Sequence, residues 1–461
     1  MNGRNSIYVL LTVVLAGFIT ACGITKPYQS PGITDNNLYR DVNTTDTNSL
    51  ATVHWKEIFT DSLLQQLIDT GIQHNLDLQV AWSRMRQAEA NYSQSRQALY
   101  PAVNGDVSAA FAGASNQQRT GRNVIPQQYN AGLTATWEAD IWGKLRSNRR
   151  AGLAAFLQAS ANARAVQTGL IASIATSYYN LTALDQQLKI TQQTVVNWQA
   201  TVEVMKELKK GDVVTGAAVV QSEASRYAAE VTIPDLKQSI RETENQLNLL
   251  LGRPPGPISR SSMDDQRPVM LLKTGVPAQL LANRPDVQAA EYNLRYYYEL
   301  TNVARTYFYP ALTISASGGY TSYLSLTGPG SWISNLTAGL TQPIFNQGIN
   351  KTRLKVAKEQ QEQAALNFHT AVLTAGQEVS NALYSYQTAL EKGNSRRLQL
   401  QNLQLSVDYT QELVRYGFAN YTEVLNAQQS LLSAQLGRIN DHLQQLQAVV
   451  FLYRALGGGW Q

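Results

Sequence analysis

The sequence of 461 residues contains one cysteine, Cys22, and four scattered histidines, His54, His74, His369 and His442. A single thiol cannot form a disulfide within the chain, and no two histidines have the spacing of metal ligands. The sequence also lacks a Gly-rich phosphate loop and the nucleophile-elbow motif of hydrolases. These absences argue against an enzyme, and we expect no catalytic residue, no metal and no dissociable cofactor.

Charged residues are scarce as well, at 15% of the chain against about a quarter in typical soluble domains. The net charge is +5, and Lys and Arg are dispersed, with only short pairs such as Lys209–Lys210. Binding to a phosphate backbone needs clustered cations, so nucleic acid is not expected as a partner. Gln, Asn, Ser, Thr and Ala fill the deficit, which indicates a wetted but weakly charged surface, as in a water-filled conduit.

The only long apolar run lies at the N-terminus. Residues 1–21 carry Arg4 and then the apolar stretch 7–18, which is the arrangement of a secretory signal peptide. The alternative is a short transmembrane anchor, but the run falls short of the ~20 apolar residues that a membrane-spanning helix needs. We therefore expect residues 1–21 to be removed.

The end of this run, Ile19–Cys22, resembles the bacterial lipobox, in which the chain is cut before a cysteine that carries a diacylglyceryl group. The resemblance implies a mature chain that begins at Cys22, with a diacylglycerol and an N-acyl group such as palmitate attached there. Gly23 follows, in place of the Asp that retains such lipoproteins in the inner membrane. Delivery to the outer membrane is implied.

The chain contains an internal duplication. The matching segments are Leu78–Val103 with Val287–Leu312, Ala131–Thr134 with Ala338–Thr341, and Lys210–Glu223 with Tyr416–Gln429. Each half reads as a helix, two strands, a very long helix, a break and another long helix. A repeat of this length indicates a duplicated domain and not a solenoid of short units.

Proline is absent from residues 127–233 and 344–461. Because proline in a helix interior costs about 3 kcal/mol or more, these stretches permit uninterrupted helices. Apolar residues recur there at spacings of three and four, which predicts coiled-coil packing. A helix from about Gly143 to Lys209 would be roughly 100 Å long at 1.5 Å per residue. Breaks at Gly211 and Gly417 predict left-handed glycines at two tight hairpin tips.

Four segments alternate apolar with polar residues, namely 103–111, 128–138, 312–321 and 332–341. Their length of about 9–13 residues suits tilted strands that cross a bilayer, with one lipid-facing side each. The aromatic residues at their ends resemble an interfacial girdle and are Tyr100, Trp142, Tyr309 and Phe345. A soluble β-sandwich is the alternative that the pattern leaves open.

One chain cannot close a membrane sheet with four strands. Unpaired backbone groups in hydrocarbon cost several kcal/mol each, and bacterial barrels have at least ~8 strands. The chain is therefore expected to oligomerise, and a cyclic trimer with twelve strands and twelve helices is the natural solution. The sequence does not determine the number of copies.

Five motifs together carry a family resemblance: Trp137–Arg146, Leu281–Glu291, Gln342–Phe345, Gln428 and Leu456–Trp460. They resemble the TolC-like outer-membrane factor family, in its OprM-like (NodT-type) lipoprotein branch. The resemblance implies an α+β membrane protein with a long α-helical coiled-coil barrel and a transmembrane β-barrel, four strands per chain and twelve per trimer. It implies a lipid-anchored outer-membrane channel that conducts drugs or other small toxic compounds from the periplasm to the outside.

The implied partners are two further copies of the chain, a periplasmic adaptor (membrane fusion) protein, an inner-membrane resistance-nodulation-division transporter and outer-membrane lipid. Two other functions stay open: the outlet of a type I protein-secretion system, which uses the same fold, and a periplasmic coiled-coil adaptor lipoprotein. The substrate, the cognate adaptor and the transporter are not readable from the sequence.

The expected organisation has four parts. A signal peptide occupies 1–21, and 22–75 form a lipidated segment with an equatorial part. The first repeat, 76–282, contains a β-hairpin at about 102–137 and a helical hairpin at about 143–251. The second repeat, 283–461, contains a β-hairpin at about 311–345 and a helical hairpin at about 347–456.

The resemblance implies that the channel narrows, and is gated, at the periplasmic tips of the helical hairpins, where the adaptor also docks. The candidate residues are Lys209, Lys210, Gly211, Asp212, Arg415, Tyr416, Gly417, Phe418 and Glu423. Many family members carry an Asp at the position of Ala419, and its absence here argues against a carboxylate ring as the selectivity filter. We predict that aromatic and basic residues constrict the tip. Their alternative role is that of ordinary solvated loop residues.

Overall fold

The computed structural model describes residues 24–31, 38–40, 49–111, 127–267, 279–323, 325, 327, 329–418 and 420–460, with the side chains of 280 and 281 left aside. Cys22 and Ala419 lie outside the described residues. The described part consists of α-helices and one antiparallel β-sheet. Among its helices, none has both the length and the apolar composition to cross a membrane.

The first half of the chain begins with three helices, α1 Trp55–Ile58, α2 Ser62–His74 and α3 Leu76–Gln97. The strands β1 Ala102–Phe111 and β2 Gln127–Ala139 follow, and then the helices α4 Lys144–Lys210, α5 Gly216–Glu230 and α6 Thr232–Leu250. The second half contains α7 Leu280–Asn283, α8 Pro285–Thr306, β3 Ala311–Ser322, β4 Gly330–Thr341, α9 Ile349–Arg415 and α10 Tyr421–Leu456.

The duplication is visible in these lengths, because α4 and α9 have 67 residues each, and α3 and α8 have 22 each. The returning helices differ. The first is divided into α5 and α6, whereas α10 is continuous. Pro234 explains the division, since its ring clashes with the carbonyl four residues earlier and α5 ends there, at Glu230. The same proline is tolerated in the first turn of α6.

Asp140 precedes the first long helix and caps its N-terminus. Its carboxylate accepts hydrogen bonds from the backbone amides of Leu145 (2.8 Å) and Arg146 (3.0 Å). Gly143, which lies between Asp140 and these two residues, adopts a φ of 79°. A carboxylate at this position binds free amides and interacts favourably with the helix dipole. This role accounts for Asp140 within the Trp137–Arg146 motif.

The four strands form one sheet in the order β1-β2-β3-β4, and all neighbours are antiparallel. Directly paired residues share a face, so one row across the sheet contains Val103, Ala135, Ala316 and Leu336. A second row contains Val107, Ala131, Tyr320 and Trp332. The four apolar sides that the alternation predicts therefore lie on one continuous face.

The opposite face of the sheet is polar and is linked by side-chain hydrogen bonds. Thr321 donates to the amide oxygen of Asn130 (2.8 Å), and Asn130 donates to Ser108 (3.4 Å). The edge strands β1 and β4 are exposed along almost their whole length, and on the apolar face Trp332 is 84% exposed. Within the described residues, neither edge has a further strand beside it.

The chain divides into two compact units, and neither coincides with one repeat. One unit contains residues 84–160 and 289–369, and therefore the whole sheet. The other contains 161–288 and 370–461 together with residues 32–83, and therefore both helical tips. Each unit thus takes equivalent segments from both halves of the duplication.

A polar network in the unit with the tips joins residues that are far apart in the sequence. The same carboxylate oxygen of Asp61 accepts from Tyr178 (2.6 Å), Gln266 (2.8 Å) and the hydroxyl of Ser261. Its other oxygen accepts from the amide of Leu63 (2.9 Å), which caps α2. Burial raises the pKa of Asp61, but these four hydrogen bonds outweigh burial and the pKa is lowered overall.

Candidate functional site

The first tip follows the end of α4. The amide of Asp212 donates to the carbonyl of Lys209 (3.1 Å), and the amide of Val213 donates to the carbonyl of Leu208 (2.9 Å). This is the hydrogen-bond pair of a Schellman motif, which requires a left-handed residue two positions after the helix. That residue is Asp212, with a φ of 54°, and Gly211 is not left-handed. The prediction of a left-handed Gly211 was therefore wrong, because the hydrogen-bond pattern and not the residue type selects the position.

The second tip repeats the same geometry after α9. The amide of Gly417 donates to Val414 (3.1 Å), and the amide of Phe418 donates to Leu413 (2.9 Å). Gly417 has a φ of 75°, as the sequence predicts. Asp212 and Gly417 are therefore equivalent, and the sequence match that paired Gly211 with Gly417 is displaced by one residue.

With this correction the two tips have different chemistry. Gly211 and Val213 of the first tip stand where Tyr416 and Phe418 stand in the second. The aromatic candidates thus belong to one tip only. Tyr416 is 70% exposed and Phe418 is 81% exposed.

All nine predicted gate residues lie at these two tips, and all nine are exposed in the chain. Lys210 forms an ion pair with Glu207 (2.8 Å), but both side chains are exposed, so the pair contributes little to stability. Lys206 bridges α4 to α5 through Glu223 (3.1 Å) and also contacts Glu203 (3.3 Å). Hydrogen bonds from Lys206 to these two carboxylates raise its pKa.

A buried apolar cluster, which we call the tip cluster, joins the two hairpins. It consists of Met205, Val219, Val414 and Val424, with Leu208, Val214 and Tyr421 packed against it. The cluster takes residues from α4, α5, α9 and α10, and so holds both tips together. The apolar spacing in residues 127–233, which include Met205, predicts coiled-coil packing, but sequence reasoning missed the cluster. The signal was available in Val414 and Val424, which flank the second break.

The aromatic residues beside the sheet fall into two groups. Trp142 donates from its indole nitrogen to the carbonyl of Pro310 (2.7 Å), and its ring lies 5.1 Å from that of Tyr309. Tyr100 and Phe345 are 72% and 85% exposed, against 40% for Tyr309. Two of the four predicted girdle residues therefore form a packed pair at the junction of the strands with the helices.

Comparison with known proteins identifies the relatives of this architecture. The family model described as outer membrane efflux protein matches residues 67–253 and 276–458. The toluene efflux pump outer membrane protein TtgC of Pseudomonas putida is 30% identical, over 98% of this chain and 96% of TtgC. The cation efflux system protein CusC of Escherichia coli is 28% identical, over 98% and 99%. The open state of the Neisseria gonorrhoeae outer membrane channel MtrE has a TM-score of 0.84 and 26% identity, over 95% of this chain and 99% of MtrE.

Proposed function

The chain belongs to the outer membrane efflux protein family, and we propose that it forms the lipid-anchored, trimeric exit channel of a tripartite efflux pump. In this role it conducts drugs or other small toxic compounds passively from the periplasm to the outside. It has no catalytic activity of its own, and an inner-membrane transporter supplies the energy. A periplasmic adaptor connects the transporter to the helical tips.

The sheet carries the proposal of a trimer. It has a single continuous apolar face, a polar opposite face and two edge strands with no neighbour among the described residues. Because unpaired strand edges are not tolerated in hydrocarbon, β1 of one copy must pair with β4 of another. Three copies supply twelve strands, above the minimum of ~8 for bacterial barrels, and form a closed ring.

The apolar face then points to lipid, and the polar face lines the conduit. Trp332 and Leu336, which are exposed in the single chain, lie on the lipid side. Ser108, Asn130 and Thr321 lie on the water side, where their hydroxyl and amide groups are solvated. This division agrees with the low charge and high amide content of the sequence.

The gate is proposed at the hairpin tips, where the aromatic side chains of Tyr416 and Phe418 from each copy narrow the bore. Lys209, Lys210, Asp212, Arg415 and Glu423 complete the proposed constriction and the surface for the adaptor. Opening requires the hairpins to separate, and the tip cluster is the packing that must change. Binding of the adaptor favours the open arrangement if it contacts that arrangement more strongly.

Single-channel recording in planar bilayers tests the gate. We expect a higher conductance when Tyr416 and Phe418 are both replaced by alanine, because two bulky rings per copy leave the narrowest section. Val213→Ala is the matched control, since Val213 occupies the position of Phe418 in the first tip and is not aromatic. Equal conductance of the double variant and the unchanged protein would show that the tip rings do not constrict the pore.

Deletion of the gene tests the role in efflux. Loss of the channel is expected to lower the resistance of the cell to drugs, dyes, bile salts or metal ions, and the affected class identifies the substrate. TtgC is named for toluene efflux and CusC for cation efflux, so the panel should also contain toluene beside the metal ions. An unchanged panel together with loss of a secreted protein would instead indicate a type I secretion outlet.

A further inference from the structure

A cavity of about 380 Å³ lies beside the tip cluster, between α4, α9 and α10. Its volume is within the roughly 300–1,000 Å³ of small-molecule sites. Met205, Val414 and Val424 of the tip cluster form part of its wall, and Trp198 adds an aromatic surface. The cavity is therefore a space in the helical wall and is continuous with the packing that joins the two tips.

One polar group in this wall has an unmet hydrogen-bonding capacity. Gln428 is only 5% exposed, and its amide nitrogen donates to the hydroxyl of Thr201 (3.0 Å). Both residues line the cavity. The amide oxygen of Gln428 is buried and has no hydrogen-bond partner among the described residues. Buried polar atoms without a partner are rare in proteins, so this oxygen indicates a place for an external donor.

The remaining wall restricts the chemistry of a ligand. Val204, Leu431 and Leu432 add apolar surface to that of Trp198, while Asn197, Gln411 and Gln435 add uncharged amide groups. The charged lining residues are one anion, Asp408, and one cation, Arg415, so the wall has no net charge. Asp408 already accepts a hydrogen bond from Gln404 (3.0 Å). The favoured ligand is accordingly uncharged, with a flat ring that packs on Trp198 and a donor for the amide oxygen of Gln428.

We propose that this cavity binds a small aromatic molecule that carries a single hydroxyl or amino donor, with that donor bonded to the amide oxygen of Gln428. Such a ligand contacts α4, α9 and α10 together. Because it binds the packed arrangement of these helices, it stabilises the folded protein in proportion to its occupancy. The site lies within one copy of the chain, and Arg415 is the one proposed gate residue that lines it.

The test uses a matched pair of ligands, 2-naphthol and 2-methoxynaphthalene, which share the ring system but differ in the hydroxyl donor. Calorimetric titration of the purified full-length channel in detergent measures both, with empty micelles as the reference. We expect saturable binding of 2-naphthol, and about tenfold weaker binding of the ether, because the ether leaves the buried oxygen unpaired. Absence of saturable 2-naphthol binding would overturn the proposal.

Three variants locate the site. Gln428→Leu keeps the size of the side chain but removes the acceptor, so the preference for 2-naphthol over the ether should disappear. Thr201→Val is the matched control, because it removes the same Gln428–Thr201 hydrogen bond but keeps the acceptor, and the preference should remain. Val204→Trp fills the cavity from α4 and should abolish the binding of both ligands. This variant tests the site independently, so the proposal stays testable if Gln428→Leu fails to fold. Binding that survives Val204→Trp would place the ligand elsewhere and refute the assignment.

Discussion

Replacement of Asp61 by asparagine tests the network that connects α2, α4 and the segment after α6. The change preserves the shape of the side chain but removes its charge and converts one acceptor oxygen into a donor group. One carboxylate oxygen accepts from Tyr178, Ser261 and Gln266, and the other accepts from the amide of Leu63. An asparagine has only one side-chain oxygen, so it cannot accept both sets of hydrogen bonds, whichever way its amide is turned.

The expected loss of stability is about 3 kcal/mol. A hydrogen bond to a charged group contributes about 1.5–3 kcal/mol, and the loss of one partner leaves buried donors unpaired. We expect the loss of free energy to equal that of about one strong hydrogen bond. Asp61 is only half-buried, so water can replace some of the lost hydrogen bonds. At about 2.1 cal/mol/K of unfolding entropy per residue, this corresponds to a decrease in Tm of roughly 3 °C for a chain of 461 residues.

Thermal unfolding followed by circular dichroism measures this difference, and pH supplies a second test. The pKa of Asp61 is lowered below its ordinary value of 3.8 in the folded protein. The contribution of Asp61 to stability is therefore complete when the pH is above the pKa of this residue in the unfolded chain. It is lost as the pH falls through the pKa of the folded protein. The Tm difference between the two proteins should be largest near pH 7 and should shrink below about pH 4.

Asp69→Asn is the matched control, since it makes the same chemical change within α2, the helix that Asp61 caps. Asp69 pairs with Lys56 at 3.0 Å, and both side chains are exposed, so its loss should cost about 1 kcal/mol or less. If Asp61→Asn and Asp69→Asn melted at the same temperature, the network would have no special weight. A Tm difference that did not change with pH would show that the charge of Asp61 is not its source.

Three further changes examine the tips and the anchor. Gly417→Ala should destabilise the second tip by about 1–2 kcal/mol and speed tryptic cleavage after Arg415. Asp212→Gly should have little effect, because the relief of backbone strain is offset by the greater entropy of the unfolded chain. Equal cleavage rates in the Gly417→Ala variant and the unchanged protein would contradict the left-handed assignment. Met205→Ala should cost about 2–5 kcal/mol and increase channel opening in bilayer recordings, while Ile174→Ala, buried outside the tip cluster, should destabilise without opening. Cys22→Ser should abolish labelling by radioactive palmitate, and a labelled variant would disprove the lipidation site.

Much of the secondary structure was predictable, because its signals are local. The absence of proline from 127–233 and 344–461 permits α4 and α9, and the period-two alternation marks all four strands. The division of the return helix at Glu230 could also have been read, since Pro234 lies four residues further on. In each case the cause and its effect lie within one helical turn or one strand.

The tips show where such reasoning stops. Glycine was the expected left-handed residue at both breaks, yet the first tip uses Asp212. The choice follows from which carbonyls at the end of α4 accept hydrogen bonds, and a residue preference of about 1 kcal/mol does not override it. Aspartate tolerates the left-handed conformation better than most residues, so the residue type does not indicate that Asp212 takes it.

Periodicity and composition thus specify which segments are helices and which are strands, and which side of each strand is apolar, because these properties depend on neighbours a few positions away. Contacts between distant segments arise only when the chain folds. Asp61 meets Tyr178 and Ser261, and Met205 meets Val414 and Val424, across separations that no local pattern encodes. The packing of the two halves decides these contacts, and with them which residues join the tips and which oxygen in the helical wall has no donor in the described part of the chain.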